Sequence, residues 1–558
     1  MTRGLGTRGW EHGTGGWGLA CALGIALAPI ALTGRAAGTA APAVDAVFAR
    51  WTTSTPGCAV GVATDGTPVL TKGYGMADLE HDVPIGADTI FEAGSVSKQF
   101  TTAAVLLLAR EGKLSLDDPA RKYIPELPEY PQAAASGLTI RHMLSHTSGL
   151  RDWGSVAGIS GWPRTSRAYT HAHVLEIVSR QHALNFTPGT RWSYSNTGFN
   201  LAAIIVERIS GLSFQEFTRT RLFQPLGMTS TSWRDDYTGI VKRRAQAYRE
   251  RDGAFHTDMP FENVYGNGGL LTTVGDLLKW NAHYDAPAAA DAALIASQQV
   301  PGRFNDGRPY GYGLGLYVGQ YKGLREVFHS GSTAGYQAFL TRFPEQRVSV
   351  AVLCNAASAP ATRYARAVAD LYLGDRLKPS EVKATYTLSA AETDRFVGQW
   401  IGETGVPTTI VKDIDGLRLG RTTRLFAISP MAVSTAEHER WELDAYGVRY
   451  TDPFGRLEEL RKEGTIDTIK DPGVYAGTYV SDDAETTLTA AVIDGRLVLK
   501  RRPDTIIALT RLYPGAFSAD HGLGTVIFHW DASGRPSELS VVQDRVWDMR
   551  FAKVRSEK

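Results

Sequence analysis

The sequence predicts an α/β layered domain over residues 44–376 followed by two small antiparallel β domains, and three observations predict it. Strand-like runs stand at both ends of 44–376 around a helix-rich middle, the pattern of a sheet covered by helices. Beyond residue 390 helical periodicity fades and strand alternation takes over. The β-rich tail also repeats itself. Gly398-Gln399-Trp400 matches Gly477-Thr478-Tyr479, Ile414-Asp415-Gly416 matches Ile493-Asp494-Gly495, and Asp452 with Gly455-Arg456 matches Asp531 with Gly534-Arg535, all at an offset of 79 residues (398 to 477, 415 to 494, 452 to 531). The repeat divides the tail into 391–469 and 470–558, joined to the first domain by a linker at 377–390. Each half is expected to close as a barrel, because closure removes exposed strand edges.

Taken in order, residues 1–43 read as a secretory signal peptide. Arg3 and Arg8 precede an apolar stretch from about Gly18 to Leu32, and Arg35 with a run of small residues follows. The apolar part is shorter than the ~20 residues that span a bilayer, so cleavage is expected over an uncleaved anchor, with no transmembrane domain afterwards. The mature chain is therefore expected to be exported, periplasmic or extracellular. A formal net charge of +1 without a dense basic run excludes nucleic acid as a partner. Hydrophobic residues at 43% and charged residues at 21% supply an ordinary globular core. Two cysteines remain after the signal, Cys58 and Cys354, both in strand-like apolar runs. Two separate buried thiols are the first expectation, and a disulfide of the export compartment is the alternative.

Within 44–376, a short helical pattern at 44–51 leads to strands at 58–64 and 68–74 joined by Asp65-Gly66, a hairpin-turn pair. The apolar run Ala103 to Leu108 carries a helix over 95–111 that stops at Gly112. A short helix over 138–146 ends near Ser148-Gly149. Its His142 and His146, spaced i, i+4, lack the glutamate and third ligand of a metal site, so they are expected to pack or cap and to bind no metal. Pro188-Gly189-Thr190 leads into a helix over 199–209 stopped by Gly211, and Gly266-Asn267-Gly268-Gly269 turns into a helix carrying Leu277, Leu278 and Trp280. Residues 310–316 read as a glycine-punctuated strand, further strands run to Cys354, and a helix over 361–373 closes the domain.

Ser95-Val96-Ser97-Lys98 places a hydroxyl and an amine on one helical face, because positions i and i+3 are neighbours. The motif alone is common. Ser380-Glu381-Val382-Lys383 repeats it in the linker, just after a proline and with no apolar helix to hold it. Order singles out the first copy: Ser95 and Lys98, then Tyr194-Ser195-Asn196, then His329-Ser330-Gly331. In these elements the chain resembles the penicillin-recognising serine hydrolases, which include class C β-lactamases, DD-peptidases, D-aminopeptidases and related esterases. Their signatures are Ser-x-x-Lys, Tyr-x-Asn and a Lys/His-x-Gly strand. The resemblance covers 44–376 and takes in Gly73-Tyr74-Gly75, His146-Thr147-Ser148-Gly149-Leu150 and Gly268-Gly269-Leu270. It implies a β-lactamase/transpeptidase-like catalytic domain with an antiparallel sheet and a helical region. A rival Tyr-x-Asn, Tyr265-Gly266-Asn267, lacks the Pro-Gly-Thr loop and following helix that accompany Tyr194.

By this resemblance Ser95 Oγ attacks a carbonyl carbon to form an acyl-enzyme. Tyr194 protonates the leaving group and activates the hydrolytic water, and Asn196 holds Lys98 or a substrate carbonyl. The backbone N–H groups of Ser95 and Ser332 form the oxyanion hole, while His329 and Gly331 line the substrate. A base must take the serine proton, and the residues leave two choices: a Tyr194 phenolate favoured by a Lys98 ammonium, or a neutral Lys98 favoured by burial. No cofactor is implied. Histidine at position 329, where many β-lactamases carry lysine, moves the reading away from antibiotic hydrolysis. Histidine is cationic only below ~6.5, so a substrate carboxylate held by His329 is expected to be released as pH rises. The expected substrate is a small peptide, amide or ester. D-amino-acid-containing peptides come first, as for a D-aminopeptidase or DD-carboxypeptidase, with cell-wall peptides among them. The alternatives are a carboxylesterase, a weak class C-type β-lactamase and, in another class, a non-catalytic penicillin- or peptidoglycan-binding relative. A catalytic domain followed by two barrels is also similar to the plan of the D-aminopeptidases. The sequence specifies neither an oligomeric state nor a role for the β domains.

Overall fold

The computed structural model describes residues 42–554 apart from 135–136, 290, 379–382, 421 and 464–470. Nearly all of the expected signal peptide, and most of the second Ser-x-x-Lys, lie outside the described residues. Strands β1 (Cys58–Thr64) and β2 (Thr67–Tyr74) form the expected hairpin, with Asp65 at φ 51° and Gly66 at φ 74°. Both turn positions are left-handed, the geometry that matches the twist of the flanking strands. The chain comes back to this hairpin at the far end of the domain. β3 (Tyr317–Tyr321), β4 (Leu324–Thr333), β5 (Tyr336–Phe343) and β6 (Val348–Cys354) complete a six-stranded antiparallel sheet in the order β3-β4-β5-β6-β1-β2.

Alternation along the central strands feeds two cores. Ala59, Ala351 and Leu353 face one of them; Val60, Val62, Val350 and Val352 face the other. The first core holds the helices α1 (Lys98–Arg110), α2 (Thr197–Ser210) and α3 (Val274–Asp285), while α4 (Ala361–Leu373) covers the opposite face. Cys58 stands directly opposite Cys354 in the β1–β6 register, with a Cα–Cα distance of 4.0 Å, and the two form a disulfide. The expectation of separate thiols is thereby corrected. Directly opposed antiparallel positions bring two side chains within bonding reach, and sequence alone does not give the register. Residues 310–316 also depart from expectation, since only Pro309–Tyr310 pairs as a strand. The glycines there serve close approach: a Cβ at Gly313 would lie 2.4 Å from the Gln298 carbonyl, and one at Gly315 2.8 Å from the Lys98 carbonyl.

The tail folds into two closed eight-stranded barrels, from Gly398–Ile401 to Leu457–Lys462 and from Gly477–Ser481 to Val546–Lys553. The first two repeat anchors are equivalent in both. Gly398 and Gly477 open the first strands at φ 144° and 148°, and the paired Asp-Gly turns join the second and third strands. The third anchor slips by one strand. Asp452 turns between the seventh and eighth strands of its barrel, but Asp531 turns between the sixth and seventh of the other. Closure shows the true equivalence: Lys462 lies over Trp400 at 5.5 Å and Lys553 over Tyr479 at 5.4 Å, each last strand meeting its first. The hairpin equivalent to the Asp452 turn is therefore the one at Asp544-Arg545. Both reach back to the catalytic domain.

Candidate active site

Ser95 lies in the 3₁₀ turn Gly94–Ser97 that opens α1, and it is half-buried, whereas Lys98 one turn on is fully buried. Lys98 Nζ sits 3.1 Å from Ser95 Oγ, 2.9 Å from Asn196 Oδ1 and 2.7 Å from the Asn267 carbonyl oxygen. A neutral amine satisfies this set with two N–H groups toward Asn196 and Asn267 and its lone pair toward Ser95. Burial, helped by the cation of Arg545, pushes the Lys98 amine well below its ordinary value. Tyr194 hydrogen-bonds Ser95, and burial raises its phenol against the smaller opposite pull of that bond and of Arg545. Lys98 approaches the Tyr194 ring, 4.8 Å from its centroid. Of the two bases that the sequence left open, these surroundings favour a neutral Lys98 beside a protonated Tyr194.

β4 passes the Ser95 turn at very short range. A Cβ on Gly331 would lie 2.0 Å from the Ala93 carbonyl oxygen and 3.1 Å from Ser95 N, and one on Gly94 would lie 2.6 Å from Ser332 N. Only glycine fits at either place, and their approach sets Ser95 beside Ser332 in the wall of the cleft.

His329 needs correction. It is 1% exposed, and burial with the nearby Lys98 lowers it to about 3. Nδ1 lies 2.6 Å from the Ser330 carbonyl, which only accepts, so Nδ1 carries the proton and Nε2 accepts from the Tyr312 hydroxyl at 3.1 Å. This histidine is a neutral strut beneath the strand. It does not hold a carboxylate by a charge that titrates near neutrality.

Several supporting residues escaped the sequence reading. His146, expected only to pack or cap, stands at φ 60° with its ring 4.2 Å from that of Tyr194, and its Nδ1 accepts the Ser195 N–H at 3.1 Å. Asp152 caps the helix Trp153–Ser160 and accepts the Asn196 N–H at 2.8 Å. Asn267, set aside with the rival motif, contributes its backbone carbonyl, while Tyr265 turns away to Glu207 at 2.8 Å. Asn267 could have been suspected from the glycines around it. His146 could have been suspected from its place in the His146–Leu150 segment that shares the family resemblance, whereas Asp152 had no distinguishing signal.

The cleft over Ser95 encloses about 1020 Å³ and is narrowed by the last hairpin of the second barrel. The Arg545 carbonyl accepts from Asp152 N at 3.2 Å and Asn185 Nδ2 at 3.1 Å, and Asn185 Oδ1 accepts Trp547 N at 2.9 Å. So anchored, the Arg545 guanidinium lies 4.7 Å from the Tyr194 ring centroid. A buried ion pair, Arg151–Asp483 at 2.8 Å, fixes the same barrel behind the hairpin.

Comparison with known proteins agrees with this geometry. The family model described as Beta-lactamase matches residues 43–373. The chain belongs to that family. Family membership, together with the D-aminopeptidase relatives, makes it a serine hydrolase. A D-aminopeptidase of Gluconobacter oxydans is 27% identical over 465 residues, covering 80% of this chain and 84% of its own length. Penicillin-binding protein 4* of Bacillus subtilis is 27% identical over 381 residues, covering 64% of this chain and 82% of its own. Among solved structures, an octameric penicillin-binding protein homologue from Pyrococcus abyssi superposes with a TM-score of 0.54 at 25% identity, over 76% of this chain and 99% of its own.

Proposed function

We propose that the chain hydrolyses amides of D-amino acids with a free amino group, through an acyl-enzyme on Ser95. The hairpin at Asp544-Arg545 carries this reading. It places Asp544 and Arg545 in the wall of the cleft over Ser95, with the Arg545 guanidinium 4.7 Å from the Tyr194 ring centroid. Among the carboxylates lining the cleft, Glu92 and Glu262 are bound to arginines and Asp370 to Lys322, whereas Asp544 lies 4.0 Å from Arg545 and is 76% exposed. Asp544 is thus the carboxylate that can take a substrate ammonium. The D-aminopeptidase relative, aligned over 80% of this chain, supports the same substrate class.

In the proposed cycle neutral Lys98 removes the Ser95 proton as Oγ bonds to the amide carbon, and the N–H groups of Ser95 and Ser332 hold the oxyanion. The C–N bond then breaks while Tyr194 donates its proton to the departing nitrogen and regains one from Lys98. Water enters, loses its proton to the same pair and attacks the ester carbon. The pair returns that proton to Oγ as the C–Oγ bond breaks, which releases the D-amino acid and restores the serine hydroxyl. A panel of D- and L-alanine amides, their N-acetyl forms, p-nitrophenyl esters, nitrocefin and peptides ending in D-Ala-D-Ala tests this, with Ser95→Ala as control. Preference for D over L and for a free over an acetylated amine is expected. Turnover of esters or nitrocefin alone would refute the amide reading, and absence of any Ser95-dependent adduct with a fluorophosphonate would refute catalysis. Export is part of the proposal, supported by the leader-like residues 1–43 and the Cys58–Cys354 disulfide. Cell fractionation checks it.

A further inference from the structure

Next to the catalytic cleft lies a second space of about 370 Å³, whose wall is mostly aromatic, with Trp192, Tyr310, Tyr312, Tyr317, Phe328 and Phe454 among its rings, and carries Arg366, Asp452 and Arg456 as its charged side chains. It shares Trp192, Tyr317, Ser330, Thr362, Arg366 and Arg456 with the cleft, so the two communicate. The first barrel finishes it. Phe454 reaches over from the Asp452 turn to within 5.2 Å of the Tyr317 ring and 6.2 Å of the Phe328 ring, and its carbonyl accepts the Gly311 N–H at 2.6 Å. Asp452 Oδ1 holds that turn by accepting the N–H groups of Phe454 at 2.9 Å and Arg456 at 2.8 Å. A Cβ on Gly311 would come within 2.8 Å of the Phe454 ring, so the docking is tight. The walls are rigid as well: Tyr312 packs edge-on against Tyr317 at 4.7 Å, and Tyr317 stacks on Phe328 at 5.2 Å.

The position of this space relative to the chemistry decides what occupies it. The polar end of the cleft, with Glu92, Arg164 and Asn267, does not border it. Tyr194 borders the cleft on the aromatic side, 6.3 Å from Trp192 between ring centroids. The donor that protonates the departing nitrogen must stand next to that nitrogen, so the departing group lies on Tyr194's side of the scissile bond. We propose that this pocket is the leaving-group subsite and that it selects substrates whose departing amine carries an aromatic or bulky apolar group. The assignment rests on the amide-hydrolase reading given above. A phenyl group fits inside this space and suits its edge-and-face aromatic surroundings.

The test compares the 2-phenylethylamide of D-alanine with its propylamide, two alkylamine leaving groups differing mainly in the ring. The expected kcat/KM ratio is at least about tenfold in favour of the aromatic amide. Phe454→Ala removes one wall, and Thr362→Trp fills the mouth from the first turn of α4, where Thr362 borders both spaces. Each substitution is expected to bring the ratio toward one. A ratio near one in the native protein, or a ratio unchanged in Thr362→Trp, overturns the assignment, and Thr362→Trp decides alone if Phe454→Ala does not fold. If neither amide is turned over, the amide reading fails by itself. The subsite is then judged by protection of Ser95 from fluorophosphonate labelling. Protection by 2-phenylethylamine at about tenfold lower concentration than propylamine supports it, and equal protection overturns it.

Discussion

Replacing Arg545 with glutamine should move the acid limb of the pH–rate profile upward. In the proposed cycle Lys98 acts without its proton, so kcat/KM should rise with pH through the Lys98 pKa. Burial is the first cause holding that pKa down and Arg545 the second, with a smaller contribution from Arg164, while Asp152 pulls the other way. The two cations lie against one ring, Arg545 at 4.7 Å and Lys98 at 4.8 Å from the Tyr194 centroid. At the widest separation these two distances allow, about 9.5 Å, and an effective dielectric of ~20, two unit charges repel by about 2 kcal/mol. The Arg545 side chain is 39% exposed, so solvent and salt reduce this to about 1 kcal/mol, somewhat under one pH unit. Removing the charge relieves the repulsion, favours the ammonium and raises the pKa. The assay is kcat/KM over pH 5–10 at low and high salt for the native protein, Arg545→Gln and Arg545→Lys. The glutamine variant should shift upward by roughly half to one unit, less in high salt, and the lysine variant should stay near the native profile. An unchanged or lowered limb in Arg545→Gln would refute the assignment of Lys98 as a base tuned by the hairpin.

Three further outcomes follow from the same structure. Gly331→Ala would thrust a Cβ to within 2.0 Å of the Ala93 carbonyl and displace the strand that presents Ser332 N, so kcat should fall by about 10²–10³-fold with a smaller change in KM, as steady-state kinetics would show. Cys58→Ser with Cys354→Ser opens a link across 296 residues and should lower stability by ~2–5 kcal/mol, read as a reduced urea midpoint; an unchanged midpoint would contradict it. Glu92→Gln strips the partner from Arg234, both side chains being 1% exposed, and should cost about 3–5 kcal/mol because a buried guanidinium is left uncompensated, measured by thermal unfolding.

What the sequence made legible was whatever local periodicity and fixed spacing encode. Ser95 and Lys98 meet because i and i+3 must meet on a helix, the Asp65-Gly66 turn has the left-handed geometry that such a pair favours, and α4 occupies the expected span. What stayed hidden depends on environment or on long-range register. The charge of His329 follows from complete burial and a carbonyl 2.6 Å from Nδ1, and neither has a signature in His-x-Gly. Asn267 acts through a backbone oxygen, which every residue type has. The Asp452–Asp531 match is a lesson of another kind. The two turns share a sequence because both need an aspartate to accept backbone N–H groups, at 2.8 and 2.9 Å in one and 2.8 and 3.0 Å in the other, although they occupy different places in their barrels.

That slip changes what the barrels are for. Aligned by sequence, the second copy of the Asp452 turn is exposed and touches nothing in the cleft, and the barrels look like appendages. Aligned by closure, the last hairpin of each barrel performs a matching task on the catalytic domain: Phe454 walls the aromatic pocket, and Arg545 sets a cation against Tyr194. In the proposed mechanism the first selects the departing group, and the second biases the base that starts the reaction. Both residues lie far along the chain from Ser95, so the nucleophile's charge environment and its neighbouring pocket are completed only when the tail has folded and docked. The Ser-x-x-Lys helix carries the motif shared with the family, and the two hairpins complete the cleft and the pocket beside it.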